Sequence, residues 1–224
     1  MAGDAQPQLQ VGMGLQADAG VVLGYRSGRD VGVSLILGAG ARLRSGSVLY
    51  EGTRIGDRFE TGHAVIIRES CVIGDGVSVW SNSVIDYGCH VGDNVKIHSN
   101  CYVAQYTQIE DDAFLAPGVC IANDLYPGSA ESRDLMSGPL IGAAAQIGVN
   151  VTVLPFVHIG SGCLIGAGSV VTRNIPPGTV AFGNPAVVRG EVADLANIRS
   201  RVHPVEEAAR HFELSRADPS VAND

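Results

Sequence analysis

Aliphatic residues recur at every sixth position over most of this chain. When the chain is written in blocks of six from Leu35, the third position of every block down to Ile121 is aliphatic except at Thr61. These positions are Leu37, Leu43, Leu49, Ile55, Ile67, Ile73, Val79, Ile85, Val91, Ile97, Val103, Ile109, Leu115 and Ile121, and the register returns at Ile141, Ile147, Val153, Ile159, Ile165 and Val171. A period of six fits neither an amphipathic helix nor a single alternating strand. A repeat this short that extends over so much of the chain indicates a solenoid.

The other positions of each block indicate a short strand followed by a tight corner. The first position lies two residues before the aliphatic one, so both side chains point to the same inner side of a strand. It is small or β-branched: Ala41, Ser47, Thr53, Val65, Cys71, Val77, Ser83, Cys89, Val95, Cys101, Thr107 and Ala113. The sixth position is mostly Gly, Asn or Asp, which accept a positive φ at a corner. Three blocks close one triangular coil, with residues eighteen apart stacked about 4.8 Å apart, which predicts an all-β fold, a parallel β-helix.

Breaks in the period divide the chain. Residues 1–34 form a poorly periodic N-terminal segment, with VVLGYRS as its predicted first strand, and the coils run over residues 35–189. Residues 123–139 interrupt the coils with Pro, Gly, Ser and charges, which predicts an external loop of the kind that often builds a binding site. Residues 190–224 carry two short helical patterns, EVADLANIRSRV and PVEEAARHFELSR, which we expect to cap the open end of the β-helix.

The net charge and the hydrophobic pattern bear on the kinds of partner and the location that we expect for this protein. A net charge of −8 argues against nucleic acid or an anionic membrane as the main partner. The chain has no apolar run of membrane-spanning length and no leader pattern in MAGDAQPQLQ, so the sequence predicts a soluble cytoplasmic protein.

The five cysteines are best explained as small core fillers. Cys71 and Cys89 occupy the same inner position one coil apart, and Cys101 occupies the equivalent position on another face. We expect buried free thiols rather than disulfides or a nucleophile, although the Cys71–Cys89 pair has suitable spacing for a bridge.

The blocks resemble the [LIV]-G-x-x-[STAV]-x units of the left-handed β-helix, hexapeptide-repeat acyltransferases, over roughly residues 35 to 189. This resemblance implies a left-handed coil, a homotrimer and acetyl-CoA as the acyl donor. The segment GAGSVVTRNIPPGTVAFGNPAVVRG (166–190) is similar to the C-terminal signature of acyl-CoA-dependent members. In that family the pantetheine arm lies in a groove between adjacent subunits.

The same resemblance implies a set of cofactor-binding residues. Gly142, Ala143, Gly160 and Ala167 would line the thioester and pantetheine track, Arg173 would face phosphate, and Asn184, Pro185 and Ala186 would lie near the adenine. Where the family has Lys after NPA this chain has Val187, and Arg189 is the candidate to compensate. The alternative is that the Gly and Ala residues are ordinary turn and core residues of a coil.

Catalytic candidates lie where the coil opens into the loop. An Asn-Asp pair at this place lies in the active site of amino-sugar N-acyltransferases of this fold, which the chain resembles at Asn123 and Asp124. An Asn amide could orient the amine or donate to the developing oxyanion. The Asp could hold a sugar hydroxyl or the ammonium, or serve as an ordinary corner residue.

The histidines supply a candidate base. His98 lies four blocks before Asn123, about 6 Å down the axis, and His63 lies ten blocks before it, about 16 Å down the axis. His98 is therefore the candidate general base, and His63 with Arg68 and Glu69 suits the distal part of a long substrate. TGHAVIIRES and IHSNCYVAQYTQIEDD resemble the sugar-nucleotide N-acetyltransferase branch, some members of which lack a protein base and let the departing thiolate collect the proton.

A metal site is not expected. The γ-class carbonic anhydrases share this fold and bind metal through three histidines, but the spacing of His63, His90, His98 and His158 does not reproduce their ligand pattern.

The leading interpretation is an acetyl-CoA-dependent N-acyltransferase that acts on the amino group of a nucleotide-linked deoxyamino sugar. One alternative is an O-acetyltransferase acting on serine or a simple sugar, although no His here is followed directly by an acidic residue. A second alternative, from another class, is a non-catalytic β-helix scaffold subunit.

Overall fold

The computed structural model describes residues 8–32 and 34–197, and its strands are nearly all two residues long. In chain order they are β1 (Gln8–Val11), β2 (Gln16–Ala17), β3 (Val22–Tyr25), β4 (Ser34–Leu37), β5 (Arg42–Leu43), β6 (Val48–Tyr50), β7 (Arg54–Ile55), β8 (Glu60–Thr61), β9 (Ile66–Ile67), β10 (Val72–Ile73), β11 (Ser78–Val79), β12 (Val84–Ile85), β13 (His90–Val91), β14 (Lys96–Ile97), β15 (Tyr102–Val103), β16 (Gln108–Ile109), β17 (Phe114–Leu115), β18 (Cys120–Ile121), β19 (Leu140–Ile141), β20 (Gln146–Ile147), β21 (Thr152–Val153), β22 (His158–Ile159), β23 (Leu164–Ile165), β24 (Val170–Val171), β25 (Thr179–Phe182) and β26 (Val187–Glu191). The helical elements are α1 (Ser132–Leu135) and a 3₁₀ helix at Val192–Asn197.

Successive strands up to β24 go in turn to three different sheets, and each strand from β1 to β21 pairs in parallel with the strand three places later. Sheet A begins β1-β4-β7 and ends at β22, sheet B begins β2-β5-β8 and ends β25-β26, and sheet C begins β3-β6-β9 and ends at β24. The register is eighteen residues per coil, as in the pair Val72↔His90. The predicted left-handed parallel β-helix is confirmed.

The inward positions build one continuous apolar core. The aliphatic third positions are buried throughout, as are the small first positions such as Ala41 and Cys71. Thr61, the break in the pattern, is also buried, and its hydroxyl lies 3.0 Å from the hydroxyl of Ser47. The backbone N–H of Arg44 donates to the hydroxyl oxygen of Thr61 at 3.0 Å. The core therefore accepts one hydroxyl pair because both groups are hydrogen-bonded.

Left-handed backbone conformations turn the chain at the corners. Several sixth-position residues have a positive φ, among them Gly88, Asn94, Asn100 and Asp112. We call the three corners AB, BC and CA, each after the sheet that the chain leaves and the sheet that it enters.

Two segments leave the coil, and both do so at the CA corner. The N-terminal excursion lies between β3 and β4 and is described over residues 26–32; the second, between β18 and β19, covers residues 122–139 and contains α1. Residues 8–25 already form a first coil, since β1 pairs with β4 over four residues and β3 pairs with β6. The coil stack thus begins earlier than the periodicity indicated.

The compact unit of the coils extends to Gly190. The first C-terminal helical pattern begins as the 3₁₀ helix Val192–Asn197, and the second, PVEEAARHFELSR, lies outside the described residues. Over residues 8–32 and 34–197 there is no helix long and apolar enough to cross a membrane.

All five cysteines are free, and four of them are buried. The thiols of Cys71 and Cys89 donate to the carbonyl oxygens of Asp86 and Ala104 in the next coil, at 3.0 and 3.1 Å. The neighbouring Cys71 thiol and burial raise the pKa of Cys89. Burial likewise raises the pKa of Cys101. The expectation of buried thiols is wrong for Cys120, which is exposed because it occupies the outward second position of its block.

Thiol labelling should separate these two classes. We expect a water-soluble disulfide reagent to modify Cys120 quickly in the native protein, and the other four cysteines only after denaturation, because buried protonated thiols are unreactive. A Cys120→Ser variant should lose the fast reaction. Fast modification of a second thiol in that variant would contradict the burial seen here.

Candidate functional site

Polar and aromatic side chains stack in register along the CA corner. Glu69, Tyr87, Gln105 and Asn123 follow the paired strands β9, β12, β15 and β18 at the same offset, one coil apart. The same register continues through Pro155 to Arg173. Arg173 therefore lies two coils beyond Asn123, about 10 Å along the axis.

Two buried carboxylates lie at the lower part of this stack. Glu69 is fully buried and accepts two hydrogen bonds from the guanidinium of Arg68, from Nε at 2.8 Å and from Nη2 at 3.0 Å. Nη1 of Arg68 also lies 3.5 Å from Oδ1 of Asp86, which is itself buried. The hydrogen bond to Glu69 raises the pKa of Arg68 further above its ordinary value. The pairing satisfies charges that would otherwise be costly to bury.

The N-terminal excursion covers these carboxylates. Nε of Arg29 lies 3.3 Å from Oε1 of Glu69, and its guanidinium carbon lies 3.6 Å from the ring centroid of Tyr87. The backbone N–H of Ser27 donates to Oε1 of the buried Glu51 at 3.1 Å. The excursion is therefore held to the corner by charge-assisted contacts and one cation–π contact.

Asp86 links the carboxylate pair to Asn123. Its Oδ2 accepts from the hydroxyl of Tyr102 at 2.8 Å and from Nε2 of Gln105 at 2.7 Å. Gln105 in turn accepts, through Oε1, a hydrogen bond of 2.5 Å from Nδ2 of Asn123. Burial and the hydrogen bond to Asp86 raise the pKa of Tyr102, so its hydroxyl stays protonated and donates at neutral pH.

A cavity opens between the two excursions at this corner. It measures about 430 Å³ and is lined by Arg29, Tyr87, Gln105 and Met136. Gln105 thus belongs both to the cavity wall and to the chain of hydrogen bonds that reaches Asn123. The arrangement offers a guanidinium, an aromatic ring and an amide to a polar ligand.

Asp124 anchors the second excursion and is not an ordinary corner residue. Its φ is not left-handed, unlike that of the sixth positions from Gly40 to Gly118. Its Oδ1 accepts from the backbone N–H of Tyr126 at 2.8 Å, and its Oδ2 accepts a short hydrogen bond from the hydroxyl of Ser132. Both carboxylate oxygens are therefore engaged within the excursion.

The structure places His98 and His63 at the BC corner, away from Asn123. The His98 ring packs against Trp80 and Phe114, with centroid separations of 3.8 and 5.3 Å. Nδ1 of His63 shares a hydrogen bond of 2.9 Å with the hydroxyl of Ser45. The separation of about 6 Å expected between His98 and Asn123 is only the axial part, because the strands of sheet C lie between their corners. Within one chain His98 does not meet Asn123, and His63 does not meet Arg68 and Glu69.

The cofactor-binding candidates lie at three different corners. Gly142, Ala143 and Gly160 lie at AB, Arg173 lies at CA, and Ala167 lies at BC. Asn184, Pro185 and Ala186 lie in the turn between β25 and β26, which both belong to sheet B. Arg189 lies on β26, with its guanidinium 5.6 Å from the Phe182 ring centroid. A Cβ on Gly160 would lie 2.4 Å from the backbone nitrogen of Pro177. Close approach of the next coil thus explains this glycine without a ligand.

No cluster of three or more His, Cys, Asp or Glu side chains that could hold a metal ion occurs in the described part of the chain. His90 and His158 both point outward from sheet A, on β13 and β22.

Sequence reasoning missed five residues of this corner: Arg29, Asp86, Tyr87, Tyr102 and Gln105. Counting back from Asn123 in steps of eighteen would have found Gln105, Tyr87 and Glu69. Arg29 gives no such signal, because it lies in an aperiodic segment.

The repeat region matches a known family. Residues 88–123 and 138–173 match the family model "Bacterial transferase hexapeptide (six repeats)". Among curated relatives, galactoside O-acetyltransferase of Escherichia coli is 40% identical over 90 residues, which are 38% of this chain and 44% of that protein. The chain thus spans less than half the length of this relative.

Two solved structures share the fold. Perosamine N-acetyltransferase from Caulobacter crescentus, in complex with CoA and GDP-perosamine, is 24% identical with a TM-score of 0.50, covering 67% of this chain and 57% of that chain. A UDP-N-acetylglucosamine acyltransferase from Bacteroides fragilis is 18% identical with a TM-score of 0.55, covering 88% of this chain and 75% of that chain.

Removing the Arg68 guanidinium should destabilise the protein strongly. In Arg68→Ala the buried Glu69 loses both of its short hydrogen bonds, and we expect a loss of about 3 kcal/mol in the free energy of unfolding. Denaturant titration followed by circular dichroism measures this change.

Arg42→Ala is the matched control, because Arg42 and Glu60 are both about half exposed and 4.0 Å apart. We expect it to change the free energy of unfolding by less than about 1 kcal/mol. Equal losses in the two variants would show that the buried pair has no special role.

Proposed function

We propose that the chain is an acetyl-CoA-dependent N-acyltransferase of the hexapeptide-repeat type, a proposal supported by the family model over residues 88–123 and 138–173 and by an acetyltransferase relative. Its acceptor is the amino group of a nucleotide-linked deoxyamino sugar. The observation that carries the proposal is the hydrogen bond from Asn123 to Gln105, because Gln105 lines the cavity between the two excursions.

The reaction is a direct acyl transfer. The neutral amine attacks the thioester carbonyl carbon, a C–N bond forms, and the C–S bond then breaks. The departing thiolate takes the proton that the amine nitrogen loses, so the products are the amide and CoA. Holding the two substrates in reach of each other supplies much of the rate.

The histidine positions favour an amine acceptor. A hydroxyl needs a base to become a good nucleophile, whereas a neutral amine does not. The His98 ring packs against Trp80 and Phe114, and none of the ion pairs found within residues 8–32 and 34–197 involves a histidine. O-acetylation of a sugar remains the alternative, favoured by the galactoside O-acetyltransferase relative.

The cavity suits the sugar-nucleotide. Arg29 has a side chain about half exposed, and its guanidinium can contact phosphate while it remains near Glu69. The sugar amine then lies toward Asn123, and Arg68 and Glu69 hold the excursion in place instead of contacting the sugar.

Acetyl-CoA extends along the same corner toward Arg173, which lies in register with Asn123. The candidates at the AB and BC corners then belong to sites shared with neighbouring subunits of a homotrimer. No metal takes part in this mechanism, and the partners are small molecules.

Acetyl-CoA should stabilise the protein. At a concentration a hundredfold above Kd it should add about 2.7 kcal/mol to the stability of the folded state, which a thermal shift assay detects and calorimetry confirms. Arg173→Ala should weaken the shift, and Arg54→Ala, an exposed arginine on sheet A, should not. No shift in wild type at millimolar acetyl-CoA would refute the acetyltransferase proposal.

The acceptor class can be tested by CoA release. We expect turnover with UDP-linked amino sugars such as UDP-glucosamine, and none with serine or a methyl galactoside. Asn123→Ala should lower kcat/KM for the amine by about 10- to 100-fold, and Gln16→Ala, in the first coil, should leave it unchanged. Preferred transfer to a hydroxyl acceptor would establish the O-acetyltransferase alternative instead.

A further inference from the structure

We infer that Asp86 is a positioning residue that sets the orientation of the Asn123 amide through Gln105. This orientation presents the carbonyl oxygen of Asn123 to the N–H of the substrate amine. The inference rests on the proposed function for the identity of the amine, but the orientation itself follows from the hydrogen bonds of the chain.

Asp86 acts only as a hydrogen-bond acceptor. Its Oδ1 accepts from the backbone N–H of Tyr87 at 2.8 Å and lies 3.5 Å from the guanidinium of Arg68. Its Oδ2 accepts from the hydroxyl of Tyr102 and from Gln105. Donors from four residues thus face the two oxygens of this buried carboxylate, and both oxygens are occupied as acceptors.

The acceptor character of Asp86 fixes both amides in turn. Gln105 has to turn its NH₂ group toward Asp86, so its carbonyl oxygen faces Asn123. Asn123 has to meet that oxygen with its own NH₂ group. Its carbonyl oxygen therefore points away from Gln105, and it has no hydrogen-bond partner in the described part of the chain.

The open oxygen of Asn123 is suited to one chemical task. An acceptor at this place binds an N–H of the amine, and the nitrogen lone pair is then free to face the thioester carbonyl. This assigns Asn123 to orienting the nucleophile through its oxygen. Asp86 does not touch the substrate, since Gln105 lies between Asp86 and Asn123.

Asp86→Asn should reverse the whole series. The donors at the Oδ1 side cannot be turned, because one is a backbone N–H and the other belongs to a guanidinium. The new NH₂ group has to lie on the Oδ2 side, where the Tyr102 hydroxyl can rotate to accept. Gln105 then turns its oxygen toward position 86, and the NH₂ group of Asn123 turns outward against the substrate amine.

The double variant Asp86→Asn/Gln105→Glu should restore the native orientation. A carboxylate at position 105 accepts both from the new amide at position 86 and from Nδ2 of Asn123. The total charge of the pair is the same as in wild type. A merely structural role of Asp86 would not predict this rescue.

Neutron diffraction from deuterated crystals reads the orientation directly. We expect the Asn123 deuterons to face Gln105 in wild type and in the double variant, and to face away in Asp86→Asn. An unchanged Asn123 amide in Asp86→Asn would overturn the inference.

Kinetics with acetyl-CoA and UDP-glucosamine supply the second readout. Asp86→Asn should lower kcat/KM for the amine by about 10- to 100-fold, with the Kd for acetyl-CoA unchanged, and the double variant should recover most of the loss. Asp75→Asn is the control, because Asp75 lies at the AB corner of the same coil and accepts from the Asp57 N–H through one oxygen. A loss that Asp75→Asn shares, or that the double variant fails to recover, would overturn the inference.

Two further measurements keep the outcomes distinct. Gln105→Met removes the hydrogen bonds between Asp86 and Asn123 without altering Asp86, and we expect it to lower kcat/KM by a similar factor. It replaces Asp86→Asn as the test if circular dichroism shows that Asp86→Asn folds poorly. If wild type does not acetylate UDP-glucosamine or any other amine, the proposed function fails. The diffraction result then still decides whether Asp86 orients Asn123.

Discussion

The eighteen-residue register of the coils is the constraint on which the rest of the structure depends. Each coil rests on the one before through parallel hydrogen bonds and a continuous apolar core. A side chain at a corner therefore has only two axial neighbours, one coil above and one below. Chemistry at a corner has to be built as a ladder, and the polar series from Glu69 to Asn123 has this form.

The CA corner holds buried carboxylates beside a core that is largely apolar. Glu69 and Asp86 are nearly inaccessible to water, and each is compensated by Arg68 and by further donors. Burial of such groups stabilises little by itself, since desolvation offsets the attraction. The value of Asp86 lies in geometry, because the Gln105 amide donates to it and in turn accepts from the Asn123 amide.

The fold could be predicted from the sequence, but only part of the site could. Aliphatic residues at the third position of the blocks, from Leu37 to Val171, define the coil. This pattern specifies the architecture without tertiary information. Asn123 was found by resemblance, and Arg173 proved to share its corner. His98 lies at a different corner from Asn123 within one chain, because its offset of 25 residues from Asn123 is not a multiple of eighteen. Arg29 could not be foreseen, since no periodicity relates an excursion to the coil that it covers.

Both excursions leave the solenoid at the same corner, and neither changes the spacing of the coils that flank it. The pairs β1–β4 and β18–β21 span the extra residues and remain parallel neighbours. The excursions thus add residues to this corner without interrupting the stack of coils. An exchange of these two segments with those of another β-helix would replace Arg29 and Met136 in the wall of the cavity, while Tyr87 and Gln105 on the coils would stay in place.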